Sequence, residues 1–188
     1  MESTKDEIAA TAARMVVEEG LDAGSAKRRA VKQLGFAART ALPDNDTLER
    51  AVEEYIALFC ADTQPQELRA LREVALQWMQ RLQAFHPYLS GPVWHGTATR
   101  HTAICLQLFC DDPKAAELEL INQGVRFDVG STTGWRGEVV DALSVQVRCE
   151  ALQDFAVVHL LMYDQDDLRG ALRPDARGRT PRGDLAAV

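Results

Sequence analysis

The chain has 188 residues and a net charge of −7 at pH 7, with an isoelectric point near 5.1, which argues against general binding to polyanions. Its composition is that of a globular protein large enough to bury a core without disulfides or metals. It has neither a membrane-spanning run of about 18 apolar residues nor a secretory signal. We therefore expect a cytoplasmic protein with reduced thiols.

Apolar residues recur at helical spacing through residues 1–90. The segment Thr4-Lys5-Asp6-Glu7 has the pattern of a capping box, and Gly20 is a natural helix end. A second helix ends at Gly35, a third follows "ALPDND", and a fourth runs to Phe85. The pattern predicts a helical N-terminal region that can offer a surface to a protein partner.

The pattern changes after "HPYLSGP", where short β-prone segments alternate with helical ones. The predicted strands are Val93-Trp94, "TAICLQLFC", "VRFDV", "VVDALSVQVRC" and "FAVVHLLMY", and the predicted helices are "PKAAELELINQG" and "DQDDLRGALR". This order predicts an α/β or α+β domain with a mixed sheet over residues 91–173. Residues 174–188 have little to bury, and we expect a disordered tail there.

A glycine turn, Gly96-Thr97-Ala98-Thr99-Arg100, precedes the apolar strand Thr102-Ala103-Ile104-Cys105-Leu106. The succession of helix, short strand, turn, apolar strand and helix resembles the nucleotidyltransferase fold of the DNA polymerase β type. In that family a Gly-Ser turn follows the first strand, the next strand carries Asp-x-Asp, and a later strand supplies a third acid. The resemblance implies that Gly96, Thr97, Thr99 and Arg100 bind a nucleotide or phosphate ligand.

The metal-binding acids of that family are missing from this chain. Ala103 and Cys105 occupy the two Asp positions, and the later strand offers His159. Nucleotidyl transfer relies on divalent cations held by hard oxygen ligands, which neither alanine nor cysteine provides. We therefore expect no bound metal or cofactor and no catalysis, with a role in ligand sensing or partner binding.

Three alternatives remain open at this point. The protein is an active, Mg²⁺-dependent nucleotidyltransferase if Asp111, Asp112 and Asp164 supply the acids. A soft metal such as zinc would require His95, His101, Cys105 and His159 to converge. A structural interaction module would bind a protein through its N-terminal helices and have no ligand. The last alternative predicts a large exposed apolar patch on those helices.

One dense basic segment, formed by Lys27, Arg28, Arg29 and Lys32, raises the question of nucleic-acid binding. No aromatic residues interleave these charges, and a solvated face of an amphipathic helix explains them. Nucleic acid is therefore a disfavoured partner. The arginines after residue 172 could also contact a polyanion, but a disordered chain end explains them; they are Arg173, Arg177, Arg179 and Arg182.

Overall fold

The computed structural model describes residues 3–188, which form seven α-helices and one six-stranded mixed sheet, an α/β fold with a helical N-terminal region. The helices are α1 (Thr4–Glu19), α2 (Ala23–Gln33), α3 (Asn45–Phe59), α4 (Gln64–Arg81), α5 (Gly91–His95), α6 (Pro113–Asn122) and α7 (Leu168–Ala171). The strands are β1 (Tyr88–Ser90), β2 (Ile104–Phe109), β3 (Asp128–Thr133), β4 (Val139–Cys149), β5 (Asp154–Tyr163) and β6 (Arg182–Gly183).

The chain divides into two compact units that are interleaved in sequence. The helical unit runs to Leu68 and also includes Thr97–Thr102, whereas the sheet unit comprises Arg69–Gly96 and Ala103–Val188. None of the helices in residues 3–188 has the length and apolar character needed to cross a lipid bilayer.

The helical unit is built from α1, α2 and α3 around one apolar core. Its fully buried side chains include Ile8 and four alanines, whose small size lets the helices approach closely: Ala12, Ala13, Ala26 and Ala30. Ser3 and Asp6 form a reciprocal capping box at the start of α1, so the N-cap lies one residue before the predicted Thr4. Gly20 ends α1 with φ 69°, as predicted.

The sheet has the strand order β3-β4-β5-β2-β1-β6. Among these six strands β2 and β5 pair in parallel, and every other neighbouring pair is antiparallel. One face is apolar, because Ile104, Leu106 and Leu108 of β2 are fully buried and lie in register with the buried β5 residues Val158, Leu160 and Met162. Within the same unit, α6 and the part of α4 that follows Leu68 also contain buried apolar residues.

The opposite face of the sheet is different in character. Its β2 residues are Cys105, Gln107 and Phe109, because alternate side chains of a strand point to opposite faces. We refer to it as the Cys105 face.

Two of the predicted strands differ from the structure. Val93 and Trp94 lie in α5, which Pro92 helps to start and Gly96 ends, and the first strand is instead β1. The "VRFDV" prediction overlaps β3 only at its last two residues, since β3 continues through "GSTT". That error arose because glycine, serine and threonine indicate a turn more often than an edge strand.

The predicted disordered tail also differs from the structure. Residues 174–188 include β6, which pairs with β1, and an ion pair of 2.9 Å between Arg179 and Asp175. The Trp94 indole Nε1 donates a hydrogen bond of 2.7 Å to the Thr180 carbonyl oxygen. These partners are distant in sequence, so composition could not reveal them.

Candidate functional site

A row of polar side chains crosses the Cys105 face at one level. Cross-strand register aligns Arg182 of β6 with Ser90, Ser90 with Cys105, Cys105 with His159, and His159 with Ser144 of β4. Residues opposite each other in adjacent strands share a face of the sheet. These five residues therefore form a continuous line, which we call the polar row.

The centre of the polar row is electrically neutral near pH 7. Burial lowers the pKa of His159, whose Nδ1 lies 2.8 Å from the Ser144 hydroxyl oxygen. Burial raises the pKa of the Cys105 thiol, although Ser90 and the positive charge of Arg182 partly oppose that shift. A thiol with a raised pKa is a poor nucleophile, so the pair does not have the thiolate character of a catalytic cysteine.

Arg182, at one end of the polar row, is buried with 5% of its surface exposed. Its guanidinium carbon lies 4.4 Å from the centre of the Trp135 ring, a cation–π distance. Its Nε has no hydrogen-bond partner among the described residues. Burial lowers the pKa of Arg182, with Tyr163 and Cys105 opposing the shift, but an arginine stays protonated in a protein.

Gln107 presents a second unsatisfied group on the same face. It lies between Cys105 and Phe109 on β2 and is 6% exposed. Its Oε1 has no hydrogen-bond partner in the part of the chain that the structure describes. A buried polar atom without a partner is destabilising, and two such atoms on one sheet face require an explanation.

Aromatic rings cover the neighbouring end of the Cys105 face. Phe109 packs edge-on against Tyr88 at 5.5 Å and stacks on Tyr163 at the same centroid distance. Trp135 lies 4.1 Å from the Tyr163 ring, measured between centroids. Burial raises the pKa of Tyr163 to about 12. Arg182 thus stacks on the outer ring of a small aromatic cluster.

The residues present do not fit a Mg²⁺ site. Ala103 and Cys105 supply no carboxylate, and no group of three or more His, Cys, Asp or Glu side chains in residues 3–188 is placed to hold a metal. Asp111, Asp112 and Asp164 lie near Cys110, where burial and then these carboxylates raise the pKa of the thiol. Asp112 caps α6 by accepting a hydrogen bond from the Lys114 amide.

The four predicted ligand residues lie in two different units. Gly96 ends α5 in the sheet unit with φ 91°, whereas Thr97, Thr99 and Arg100 belong to the helical unit. The glycine that directly follows the first strand is Gly91, with φ 72°. Gly96, the glycine of the predicted ligand turn, therefore lies five residues downstream of the glycine that follows β1.

Two of these residues have structural partners inside the helical unit. The buried Thr99 hydroxyl donates a hydrogen bond of 3.0 Å to the Val17 carbonyl oxygen, and the Arg100 amide donates to the Glu67 carboxylate at 3.0 Å. A role for Gly96, Thr97, Thr99 and Arg100 in ligand binding stays a prediction.

The basic segment in α2 is partly used inside the helical unit. Lys27 is buried and its Nζ donates a hydrogen bond of 2.7 Å to the Asn45 side-chain oxygen. Arg29 forms an ion pair of 2.5 Å with Glu19. Arg28 donates a hydrogen bond of 3.4 Å to the Ser25 hydroxyl oxygen, so three of the four basic residues have partners within the helical unit.

Sequence reasoning missed Ser90, Gln107 and Ser144, and it treated Arg182 as part of a disordered tail. One signal was available for Gln107, which is the only amide in an otherwise apolar strand and lies two residues after Cys105. The cross-strand partners of Arg182 and Ser144 depend on tertiary pairing, and no local pattern encodes them.

Comparison with protein-family models, with characterised proteins and with solved structures finds no match to this chain.

Proposed function

We propose that the protein is a nucleotidyltransferase-like binding protein that takes a nucleotide or another phosphate ligand and performs no metal-dependent transfer. The observation that carries this proposal is the parallel pairing of β2 with β5, in which Cys105 and His159 are register partners. In the family that the sequence resembles, acids on two such strands hold the catalytic cations. Here the corresponding side chains are neutral at pH 7.

The chemistry of the site favours binding without transfer. Phosphoryl and nucleotidyl transfer depend on charge stabilisation of the attacking and leaving oxygens. A thiol, a neutral imidazole and two hydroxyls provide hydrogen bonds but cannot replace two cations. Arg182 provides one fixed positive charge, which suits recognition of a phosphate group.

The active-enzyme alternative has weaker support, because Asp111, Asp112 and Asp164 do not form a group placed to hold a metal. The interaction-module alternative has one supporting observation in the helical unit. Leu58 and Phe59, at the end of α3, are 76% and 70% exposed. Two residues make a small patch compared with the several hundred square ångströms of a typical interface.

The test is thermal unfolding of the full chain with a panel of nucleotides, each with and without Mn²⁺. It is run on the wild type and on a double variant, Ala103→Asp with Cys105→Asp. Ala103 is partly exposed, and at the Cys105 position, where the thiol is buried, the positive charge of Arg182 lies close enough to compensate a carboxylate. Residues i and i+2 share a face, and the variant restores the missing acid pair.

For the wild type we expect a nucleotide at about 100 times its dissociation constant to raise the midpoint by about 5–10 °C, regardless of Mn²⁺. We expect the double variant to gain a response to Mn²⁺ that the single variant Cys105→Asp lacks. A wild-type shift that requires Mn²⁺ would show that the metal ligands lie elsewhere and that the enzyme is active. The absence of any nucleotide shift would favour the interaction module.

A further inference from the structure

Arg182 is a buried cation, and no carboxylate in residues 3–188 forms an ion pair with it. The groups that raise its pKa are Tyr163 and Cys105, both neutral at pH 7, while burial lowers it. Leaving an ionised group buried without a counter-charge is strongly destabilising. A protein that keeps such a group in a folded site gains when an anion binds beside it.

The second unsatisfied atom, Gln107 Oε1, indicates that the bound anion also needs a hydrogen-bond donor. Gln107 lies on the Cys105 face between Cys105 and Phe109, and Phe109 contacts the Trp135 ring on which Arg182 stacks. The Arg182 Nε is a donor and the Gln107 Oε1 is an acceptor, and neither has a protein partner. A group that satisfies both must carry negative charge and also donate a hydrogen bond.

A singly protonated phosphate has this combination. Its unprotonated oxygens accept charge-assisted hydrogen bonds from a guanidinium, and its P–OH donates to an amide oxygen. The second pKa of a phosphate monoester is about 6, so the protonated form is well populated at and slightly below neutral pH. Sulfate is also tetrahedral, and its oxygens also accept hydrogen bonds from a guanidinium. It carries no proton near this pH, so it cannot donate a hydrogen bond.

We propose that Arg182 and Gln107 form a binding site for a protonated phosphate group, with Arg182 as the charge partner and Gln107 as the hydrogen-bond acceptor. Ser90 and Cys105 lie beside them in the polar row. Trp135 covers the guanidinium, so phosphate binding changes the surroundings of its indole. This inference deepens the proposed function by naming the residues that hold the phosphate, but it applies equally to a nucleotide and to free phosphate.

The experiment is calorimetric titration of the full chain with inorganic phosphate, sulfate and a nucleoside monophosphate at about pH 6, the second pKa of a phosphate monoester. The key variant is Arg182→Met, which keeps much of the side-chain length and removes the charge. Its matched control is Arg148→Met, since Arg148 also stacks on an aromatic ring, Phe155, but is exposed. Circular dichroism establishes that each variant folds.

We expect wild type and Arg148→Met to bind phosphate equally, and Arg182→Met to bind it at least about tenfold more weakly. Arg182→Lys retains a point charge without the planar fork and should fall between them, which keeps the test valid if Arg182→Met misfolds. Gln107→Met should reduce the preference for phosphate over sulfate while leaving sulfate binding largely unchanged. A structural role for Gln107 would not alter that preference.

Equal phosphate affinity in wild type and Arg182→Met would overturn this inference, as would the absence of phosphate binding by the wild type. In the second case solvent would satisfy the two buried atoms. Nucleotide binding that survives Arg182→Met would retain the proposed function and reject this site. Phosphate binding that depends on Arg182, without any nucleotide binding, would retain the site and reject the nucleotide.

Discussion

Buried polar side chains in this protein fall into two groups according to whether they have partners. Lys27 and Thr99, both in the helical unit, are buried with well-formed hydrogen bonds to Asn45 and to the Val17 carbonyl. Arg182 and Gln107 are buried to a similar degree, yet each retains an unsatisfied atom. The first pair has a structural explanation, whereas the second pair forms the phosphate site that we propose.

His159 should make stability depend on pH in a defined direction. Burial lowers its pKa below the usual value of about 6.5, so the folded state resists protonation more than the unfolded state does. Its contribution to the free energy of unfolding is present above about pH 6.5 and is lost as the pH falls through the lowered pKa. Urea unfolding between about pH 7 and pH 5.5 should show this loss. In the His159→Gln variant, the free energy of unfolding should fall less steeply over the same pH range.

The control for this measurement is His86→Gln, a substitution at an exposed histidine. The pH dependence of its unfolding free energy should match that of the wild type, because this variant keeps the buried His159. Identical slopes for His159→Gln and wild type would contradict the prediction. They would mean that His159 protonates as easily in the folded protein as in the unfolded chain.

At the level of elements, β6 is short, and its position depends on one glycine. A Cβ on Gly183 would lie 2.3 Å from the Cζ3 atom of Trp94 and 2.4 Å from Cη2. The ring cannot easily move, because its Nε1 is hydrogen-bonded to Thr180. The close packing of Gly183 on Trp94 therefore holds Arg182 on the Cys105 face.

We predict that Gly183→Ala displaces β6 and destabilises the protein by roughly 1–3 kcal/mol, because overpacking forces the backbone to shift. Urea unfolding measures the stability, and faster proteolysis after residue 178 would report release of the strand. The matched control is Gly130→Ala in β3, where a Cβ would have nothing within 4 Å. If both variants were equally stable, the contact with Trp94 would not position β6.

The elements predicted well from sequence are those with strong local signals. β4 coincides with "VVDALSVQVRC", and α6 begins at Pro113 behind its Asp112 cap, as predicted. β1, β3 and β6 were missed or misplaced, because Ser90, Gly130 and Gly183 carry no strand propensity of their own. Their pairing partners, which lie far away in sequence, determine their structure.

Of the five residues in the polar row, the sequence singled out only the central two, Cys105 and His159. Cys105 and His159 were singled out from the resemblance to nucleotidyltransferases, and the structure makes them register partners. Ser90 and Arg182 enter the polar row through β1 and β6, the strands that the sequence did not predict. A site assembled by strand pairing can be predicted only as completely as the strands themselves.

For the molecule as a whole, the helical unit is completed by a segment that is remote in sequence. Within Thr97–Thr102, the Ala98 carbonyl accepts a buried hydrogen bond of 2.8 Å from the Gln64 amide, and Thr99 bonds to Val17. The absence of a side chain at Gly20 leaves room for this segment, because a Cβ there would lie only 2.3 Å from the His101 carbonyl oxygen. The first 68 residues alone therefore lack part of their own structure.

We predict that a fragment of residues 3–68 is less helical than the same residues in the full chain and melts without a sharp transition. It leaves the Val17 carbonyl without the Thr99 hydroxyl, at a cost of roughly 1–3 kcal/mol if that carbonyl stays buried. Circular dichroism on heating tests this expectation. The control fragment adds residues 97–102 through a flexible glycine-serine linker, and it should recover cooperativity.

The interleaving of the two units in sequence also constrains the order in which the protein can fold during translation. The ribosome releases α1, α2 and α3 first, and domains commonly fold in that order as they emerge. Here the helices must wait for Thr102 to leave the ribosome before Thr99 can reach Val17. Their exposed apolar surface would remain available to a chaperone during that interval. A ribosome stalled before Thr97 should therefore carry a nascent chain that proteases still digest.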